Sequence, residues 1–330
     1  MNRRLFPDLP EEEEPAPSAD VGPTPAPATA KAPAVEASAA SLADSSTESL
    51  ADKVVYVVDS HSLIYQVFHV IAEMTSPSGQ PVNAVYGFAR DLLMILEQKK
   101  PDYLFCAFDS SGPTFRHELY VDYKVDREEM PQELRPQIPA AKRLCAALGI
   151  PVLESPRHEA DDILATLARQ VDAAGGQCVL VTGDKDCRQL ITDRVRLYNI
   201  RKDEFFDAAS LEATWGIRPD QVVDFQALIG DPTDHIPGVP LIGPKSAAAL
   251  LVEYDTLENL LDRASEIKGK KGQNLQEYRE QALLSQQLTR LDVDSPVEVR
   301  WPQGRVGCGD RDAALALFHA FGNRSFADGL

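Results

Sequence analysis

Val54-Val55-Tyr56-Val57-Val58-Asp59 decides the fold. Five apolar residues in a row leave a strand no polar face to offer to water, so both of its faces must be covered. Two further runs repeat the pattern. Tyr103-Leu104-Phe105-Cys106-Ala107-Phe108 ends in Asp109, and Cys178-Val179-Leu180-Val181 leads into Thr182-Gly183-Asp184-Lys185-Asp186. Between the runs the apolar residues switch to helical spacing, at Val85, Phe88, Leu92 and Ile95 and again at Ile163, Leu164, Leu167, Ala168 and Val171. Doubly buried strands alternating with amphipathic helices predict an α/β domain: a parallel sheet covered by helices, over residues 53–210.

Residues 1–52 have a different composition, rich in Pro, Ala, Ser and Glu, with few large apolar side chains after Phe6. Such a tail buries too little surface to offset its ordering entropy and is expected to be disordered. Beyond about Leu211 the strands stop. Helical stretches are expected at Pro219–Ile229, Pro244–Tyr254, Thr256–Leu261 and Asn274–Leu291, forming a helical region over 211–300 before a C-terminal segment, 301–330.

The three strands end in acids, and open parallel sheets place their active sites beyond the carboxyl ends of their strands. Asp59, Asp109 and the Asp184/Asp186 pair are therefore expected to converge. Glu159-Ala160-Asp161-Asp162 opens the next helix, where one or two acids would serve the helix dipole but three exceed that need. Asp231-Pro232-Thr233-Asp234 adds a pair that alone would be ordinary turn chemistry. Carboxylates gathered in one place repel unless a cation neutralises them. Oxygen ligands without His or Cys favour Mg²⁺ or Mn²⁺ over Zn²⁺, and so many acids suggest two ions. Two such ions fit an in-line phosphoryl displacement.

Two elements point to a nucleic-acid substrate. In Gly238-Val239-Pro240-Leu241-Ile242-Gly243-Pro244-Lys245-Ser246, two glycines bracket an apolar turn and Pro244 takes the favoured first position of the next helix. Backbone N–H groups at such a turn can cradle a phosphate. If Phe115–Glu129 is helical, Arg116, Tyr120, Tyr123 and Arg127 share one face with Lys124 beside them, a surface suited to phosphate contact and base stacking.

Charge argues the other way. The chain of 330 residues carries a formal charge of −18. Residues 1–50 hold nine acids against Arg3, Arg4 and Lys31, so twelve of the eighteen excess negative charges lie in residues 51–330. Nine acids committed to one metal site would resolve the conflict, because bound cations turn an anion-repelling cluster into a phosphate-binding one. The five cysteines show no C-x-x-C spacing and read as reduced packing residues of a cytoplasmic protein. No apolar run is long enough to span a membrane, and the first residues lack a secretory apolar core.

With these motifs in place, the chain resembles the 5′ nuclease domain of the bacterial DNA polymerase I family, within the flap endonucleases. The carriers are Val57-Val58-Asp59, Asn83-Ala84-Val85-Tyr86-Gly87-Phe88, Phe108-Asp109, Thr114-Phe115-Arg116, Tyr123-Lys124-Val125-Asp126-Arg127, Glu159-Ala160-Asp161-Asp162, Thr182–Asp186 and Gly230–Ala247. The resemblance implies a PIN-like fold with a helical arch and a C-terminal helix-hairpin-helix region. It implies a monomeric 5′→3′ exonuclease and structure-specific endonuclease acting on DNA with a 5′ end or 5′ flap and on RNA–DNA primer junctions. It further implies that Asp109, Asp162, Asp184 and Asp186 bind one metal, and that Asp231 and Asp234, with shared Asp186, bind the second. Asp59, Glu159 and Asp161 would support through water. Lys124 and Arg127 become the arch cations at the scissile phosphate. Arg116, Tyr123, Gly238, Val239, Ile242, Gly243, Lys245 and Ser246 become DNA contacts, and K⁺ is implied at the hairpin turn.

Three positions depart from the family pattern. Gln66 stands where Arg is usual, His235 where Asn is usual, and Ser60 where Gly is usual. Whether the chain is a stand-alone nuclease or part of a polymerase I stays open. A junction-binding module without catalysis is the alternative of a different class, disfavoured by the intact acid set. An aspartate-nucleophile phosphatase would need Asp-x-Asp after the first strand, which Asp59-Ser60-His61 does not supply.

Overall fold

The computed structural model describes residues 49–126, 129–323 and 326, so the expectation for the tail falls almost wholly outside the described residues, as does Arg127. The strands are β1 Val54–Asp59, β2 Tyr103–Ala107, β3 Val152–Leu153, β4 Gln177–Val181, β5 Val195–Asn199 and β6 Glu204–Phe206. They form one six-stranded sheet in the order β3-β2-β1-β4-β5-β6. All neighbours are parallel except β6, which runs antiparallel to β5. The chain builds outward from β1 in one direction, then returns to β4 on its other side. The crevice at this reversal is where such sheets bind ligands.

The helices are α1 Ser60–Val70, α2 Asn83–Met94, α3 Phe115–Leu119, α4 Gln137–Ala147, α5 Ala160–Ala173, α6 Ala208–Trp215, α7 Val222–Ile229, α8 Pro244–Tyr254, α9 Leu257–Asp262, α10 Lys270–Glu277, α11 Arg279–Thr289 and α12 Arg311–Phe321. The twofold repeat of the strand sends alternate residues of β1 to opposite cores. Val55 and Val57 join Phe105, Leu180, Ile163 and Leu167 under α5. Tyr56 and Val58 join Leu63, Phe88, Cys106, Cys145 and Val179 under α1, α2 and α4. Phe105 is fully buried, so Phe105→Ala is expected to cost about 3–5 kcal/mol, read as a lower denaturation midpoint with unchanged slope. Helices α6 to α11 enclose their own core around Phe225, Leu251, Leu260 and Leu275.

Two expectations are corrected. Phe115–Glu129 is not one helix: α3 ends at Leu119, residues 121–126 are turns, and Lys124 sits at φ +55°, which a helix does not allow. The stretch Asn274–Leu291 is two helices broken at Tyr278, with α10 beginning earlier than expected, at Lys270. The C-terminal segment packs against the sheet domain. Ala314, Phe318 and Phe321 of α12 pack with Val85 and Ala89 of α2 and Leu144 of α4, and Trp301 meets Phe105 edge-on at 5.4 Å. No described helix is long and apolar enough to cross a membrane.

Candidate active site

The acids converge where the sheet reverses direction. Asp59 caps α1 by accepting from the Ser62 amide at 3.1 Å, and Thr182 Oγ1, just past β4, donates to its other oxygen at 2.9 Å. The Asp184 amide donates to the same Thr182 hydroxyl at 3.0 Å, tying the ends of β1 and β4 together. Asp109, past β2, accepts from the Ala160 amide at the start of α5 at 2.8 Å. Asp161 faces the same space, with the Cys187 thiol donating to it at 3.4 Å. Burial, then the charges of Asp184, Asp59, Asp109 and Glu159, push the Asp161 carboxyl well above the carboxylate range. Burial, followed by Asp109, pushes Asp59 up to about 7.

A second nest adjoins the first. Ligand atoms of Asp186, Asp231 and Asp234 lie within 4.8 Å of one another. Burial and the charge of Asp184 raise Asp186 to about 7. Gln226 Nε2 faces Asp186, yet neither that amide nor the buried Asp186 Oδ1 closes a hydrogen bond of normal geometry. A buried carboxylate oxygen without a donor is costly. Together with an all-oxygen donor set, this orphan fits a hard divalent cation. The same repulsion sets the metal-free protein's response to pH. Carboxyls raised in the fold favour it while protonated, and that stability is lost as pH rises from about 4 through about 7. Metal-free protein is therefore expected to melt several degrees lower at pH 8 than at pH 5.5. Adding Mn²⁺ at pH 8 is expected to reverse the loss; a melt flat in pH and unmoved by Mn²⁺ would count against the assignment.

The turn after α3 closes over these nests. Lys124 Nζ lies 2.9 Å from Glu159 Oε1 and 3.6 Å from Asp234 Oδ2. Burial works to lower its pKa, but Glu159, Tyr123 and Asp234 outweigh it and hold the ammonium above its ordinary range. Its backbone N–H donates to the Asp234 carbonyl at 3.2 Å, which joins the turn to the second nest. Glu159 caps α5 through a reciprocal box with Asp162.

Several predicted site residues are placed differently. Asp162 is fully buried and chelated by Arg116 at 2.9 and 2.7 Å. It also accepts from the Asp292 and Glu159 amides at 2.9 and 3.0 Å, so all four of its lone-pair positions are engaged in this structure. Burial opposes ionisation there, but the Arg116 guanidinium holds the carboxyl below its usual range. The inward acid of that helix start is Asp161. Arg116 is no DNA contact: it is 1% exposed and also donates to the Leu288 and Arg290 carbonyls. Tyr123 cannot stack on a base in this arrangement. Its ring packs against Ile236 and Leu288, and its hydroxyl donates to Glu159 at 3.0 Å.

At the hairpin between α7 and α8, a Cβ on Gly238 would lie 2.4 Å from the Ile229 carbonyl oxygen, so the close approach requires glycine. Val239 and Ile242 are buried, and their N–H groups donate to the carbonyls of Leu228 in α7 and of Val239. These two side chains and N–H groups therefore shape the turn. Gly243, with open space where a Cβ would be, and the exposed Lys245 form its outer surface, beside half-buried Ser246.

Three contributors have no expected role in the sequence. Lys185 pairs with Asp231 at 2.9 Å, and its burial is outweighed by that carboxylate. His61 Nδ1 accepts the Asp109 amide at 3.0 Å, which sets its tautomer. Arg201 Nε lies 3.3 Å from Gln66 Oε1 and pairs with the buried Asp91, bringing a cation beside the position where arginine is usual. The only signal for the first two was adjacency to the Asp residues. Arg201 had none.

Residues 54–216 match the family described as 5′-3′ exonuclease, N-terminal resolvase-like domain, and residues 217–312 match its C-terminal SAM fold. The chain is 37% identical over 275 residues to DNA polymerase I of Bacillus subtilis, covering 82% of this chain and 31% of that protein. It is 40% identical over 278 residues to the thermostable DNA polymerase I of Thermus thermophilus, covering 81% and 33%. The chain thus spans about a third of the length of the curated relatives it matches. Among solved structures, the T5 5′-exonuclease with bound zinc superposes with a TM-score of 0.64 at 19% identity, covering 84% of this chain and 98% of that one. The catalytic core of Rad2 in complex with DNA substrate superposes at 0.55 and 19% identity, covering 85% and 91%. The fold is PIN-like, as those nucleases are.

Proposed function

The chain belongs to the 5′-3′ exonuclease family, and on that premise we propose that it is a divalent-metal-dependent hydrolase of phosphodiesters at DNA 5′ ends and 5′ flaps, RNA primers included. One observation carries the reading: a buried, unpartnered Asp186 oxygen within a nest of three aspartates that borders a second nest of four. Asp186, Asp231 and Asp234 would hold one ion, and Asp59, Asp109, Asp161 and Asp184 the other. Mg²⁺ is the expected ion at both, with Mn²⁺ as substitute. When bound, hard divalent ions supply Lewis-acid stabilisation of the charge that builds on the phosphate and its leaving oxygen.

The chain's own groups do the rest. Lys124 presents a fixed ammonium between the nests, held by Glu159, where it neutralises the scissile phosphate. Arg127, three residues on in the sequence, is proposed as its partner cation. Gly243, Lys245 and Ser246 take the phosphates of the duplex, with K⁺ bound at that turn. A T5 flap endonuclease of the same fold was captured with DNA and metal ions, which supports the reading. The protein is proposed to act as a cytoplasmic monomer in replication and repair.

Lys124→Ala is expected to slow single-turnover cleavage by roughly 10²–10³-fold while DNA affinity changes by less than about threefold. Rapid-quench cleavage and anisotropy binding in Ca²⁺ separate the two. A pure affinity loss at unchanged rate would remove Lys124 from the reacting phosphate. The whole reading is tested on a labelled 5′-flap duplex: metal-dependent release of the flap supports it, and binding without turnover in Mg²⁺ or Mn²⁺ reduces the protein to a junction-binding module.

A further inference from the structure

Four glutamines among the described residues are buried: Gln137, Gln221, Gln226 and Gln286. An amide taken out of water needs its donors paired. Gln137 Nε2 donates to Asn83 Oδ1 and to the Glu133 carbonyl, both at 3.0 Å. Gln221 Nε2 donates to the Leu251 and Asp255 carbonyls at 3.0 and 2.9 Å. Gln286 Nε2 donates to Asp224 and Glu258 at 2.7 and 2.8 Å. Gln226 alone of the four leaves its nitrogen without a partner. It is 2% exposed, and it faces Asp186, whose buried Oδ1 is equally unpartnered.

Both backbones are held in place. Gln226 lies within α7, buried from Val222 to Leu228, and its carbonyl accepts the Gly230 amide at 2.7 Å. The Asp186 amide donates to Asp184 Oδ1 at 2.8 Å, and its carbonyl accepts from Gln189 Nε2 at 2.9 Å. Gln189 is fixed in turn by the Thr289 carbonyl and the Leu291 amide, each at 3.0 Å. A donor and an acceptor thus face each other without bonding, and neither chain segment is free to close the gap. Half a turn about the last side-chain bond of a glutamine exchanges its nitrogen for its oxygen. Two oxygens then face one space, an arrangement that a cation satisfies and a hydrogen bond does not. An amide oxygen is a hard, neutral ligand, so it joins three aspartates without adding to their repulsion.

We infer that Gln226 is a fourth protein ligand of the divalent ion held by Asp186, Asp231 and Asp234, binding through Oε1 with its amide turned. It rests on the metal reading above and adds to it a neutral ligand from α7. The same helix leads through Gly230 into Asp231, so one ion joins the turn after β4, the body of α7 and the Asp231–Asp234 turn.

The test is calorimetric titration of Mn²⁺ into chelator-treated protein without DNA, so that no cleavage is needed. Gln226→Met keeps the length of the side chain and removes the oxygen. It is expected to weaken one class of Mn²⁺ site by at least about tenfold and to leave the other unchanged. Its metal-free melting temperature should not fall, because the amide it removes makes no hydrogen bond. Gln226→Glu keeps an oxygen in place and is expected to bind Mn²⁺ at least as tightly as wild type. If Gln226→Met binds Mn²⁺ with wild-type affinity, the ligand role is overturned and the aspartate trio stands. Should Gln226→Met melt lower without metal, Gln226→Glu decides alone: binding weaker than wild type shows that the amide nitrogen was needed and overturns the proposal. If wild type takes up no Mn²⁺, the metal reading itself falls.

Discussion

Asp184→Ala/Asp186→Ala is expected to lower single-turnover cleavage of a 5′-flap duplex by at least about 10³-fold, the loss of several kcal/mol of transition-state stabilisation. The two residues serve different nests. Asp184 contributes to the charge field around Asp161 and Asp59, and Asp186 belongs to the trio with Asp231 and Asp234. Removing both would leave neither of the two proposed ions a full ligand set. The fold should survive, because the pair ends β4 from outside the sheet and its carboxylates repel one another in the absence of metal. The variant is therefore expected to melt at or above wild type without metal, and to lose the Mn²⁺-induced rise. Equal cutting by variant and wild type would show that hydrolysis, if present, occurs elsewhere.

The second large effect is on stability. Arg116 ties three parts of the chain: α3, the first turn of α5 through Asp162, and the end of α11 through the Leu288 and Arg290 carbonyls. Arg116→Ala would strand a fully buried carboxylate, and breaking such a pair costs about 3–5 kcal/mol. For a chain of this size that is a fall of roughly 5–9 °C in melting temperature. Arg116→Met/Asp162→Leu is expected to recover much of the loss, since an apolar pair of similar volume replaces the ions. An unchanged melting temperature with weakened DNA binding would return Arg116 to the substrate surface.

The legibility of this fold follows burial. Strands β1, β2 and β4 lie in the middle of the sheet, covered on both faces, and their unbroken apolar runs identify them. Strand β5 alternates buried and exposed residues around Arg196, while β3 has two residues and β6 three, too few for a periodic signal. In the second region α7, α8 and α9 match expected stretches, whereas α6, with Leu211 its one buried apolar residue, and the break at Tyr278 carry no apolar pattern that marks them.

In the site, position along the chain located the acids but not their direction. Asp161 and Asp162 are adjacent, and the phase of α5 decides which one faces the metal space. The apolar face of α5 sets that phase, and it turns Asp162 onto Arg116, 46 residues away in sequence, a partnership no local pattern announces. The same limit applies to Tyr123 and Lys124. Their helical spacing was a pattern on paper, while the positive φ of Lys124 and the seat of Tyr123 between Ile236 and Leu288 depend on the helical region packing beneath them. Lys124 kept its place at the site because its ammonium answers two carboxylates, whatever the backbone does.

The most direct test of the central claim is a metal titration of flap cleavage. Chelator-treated protein is mixed with a 5′-labelled flap duplex at saturating concentration, and single-turnover rates are read as Mg²⁺, then Mn²⁺, is added back. The site predicts no cleavage without metal, a rate that rises with more than first-order dependence on metal, and no recovery in Asp184→Ala/Asp186→Ala. Cleavage that persists in chelator, or that the variant performs at the wild-type rate, would contradict it.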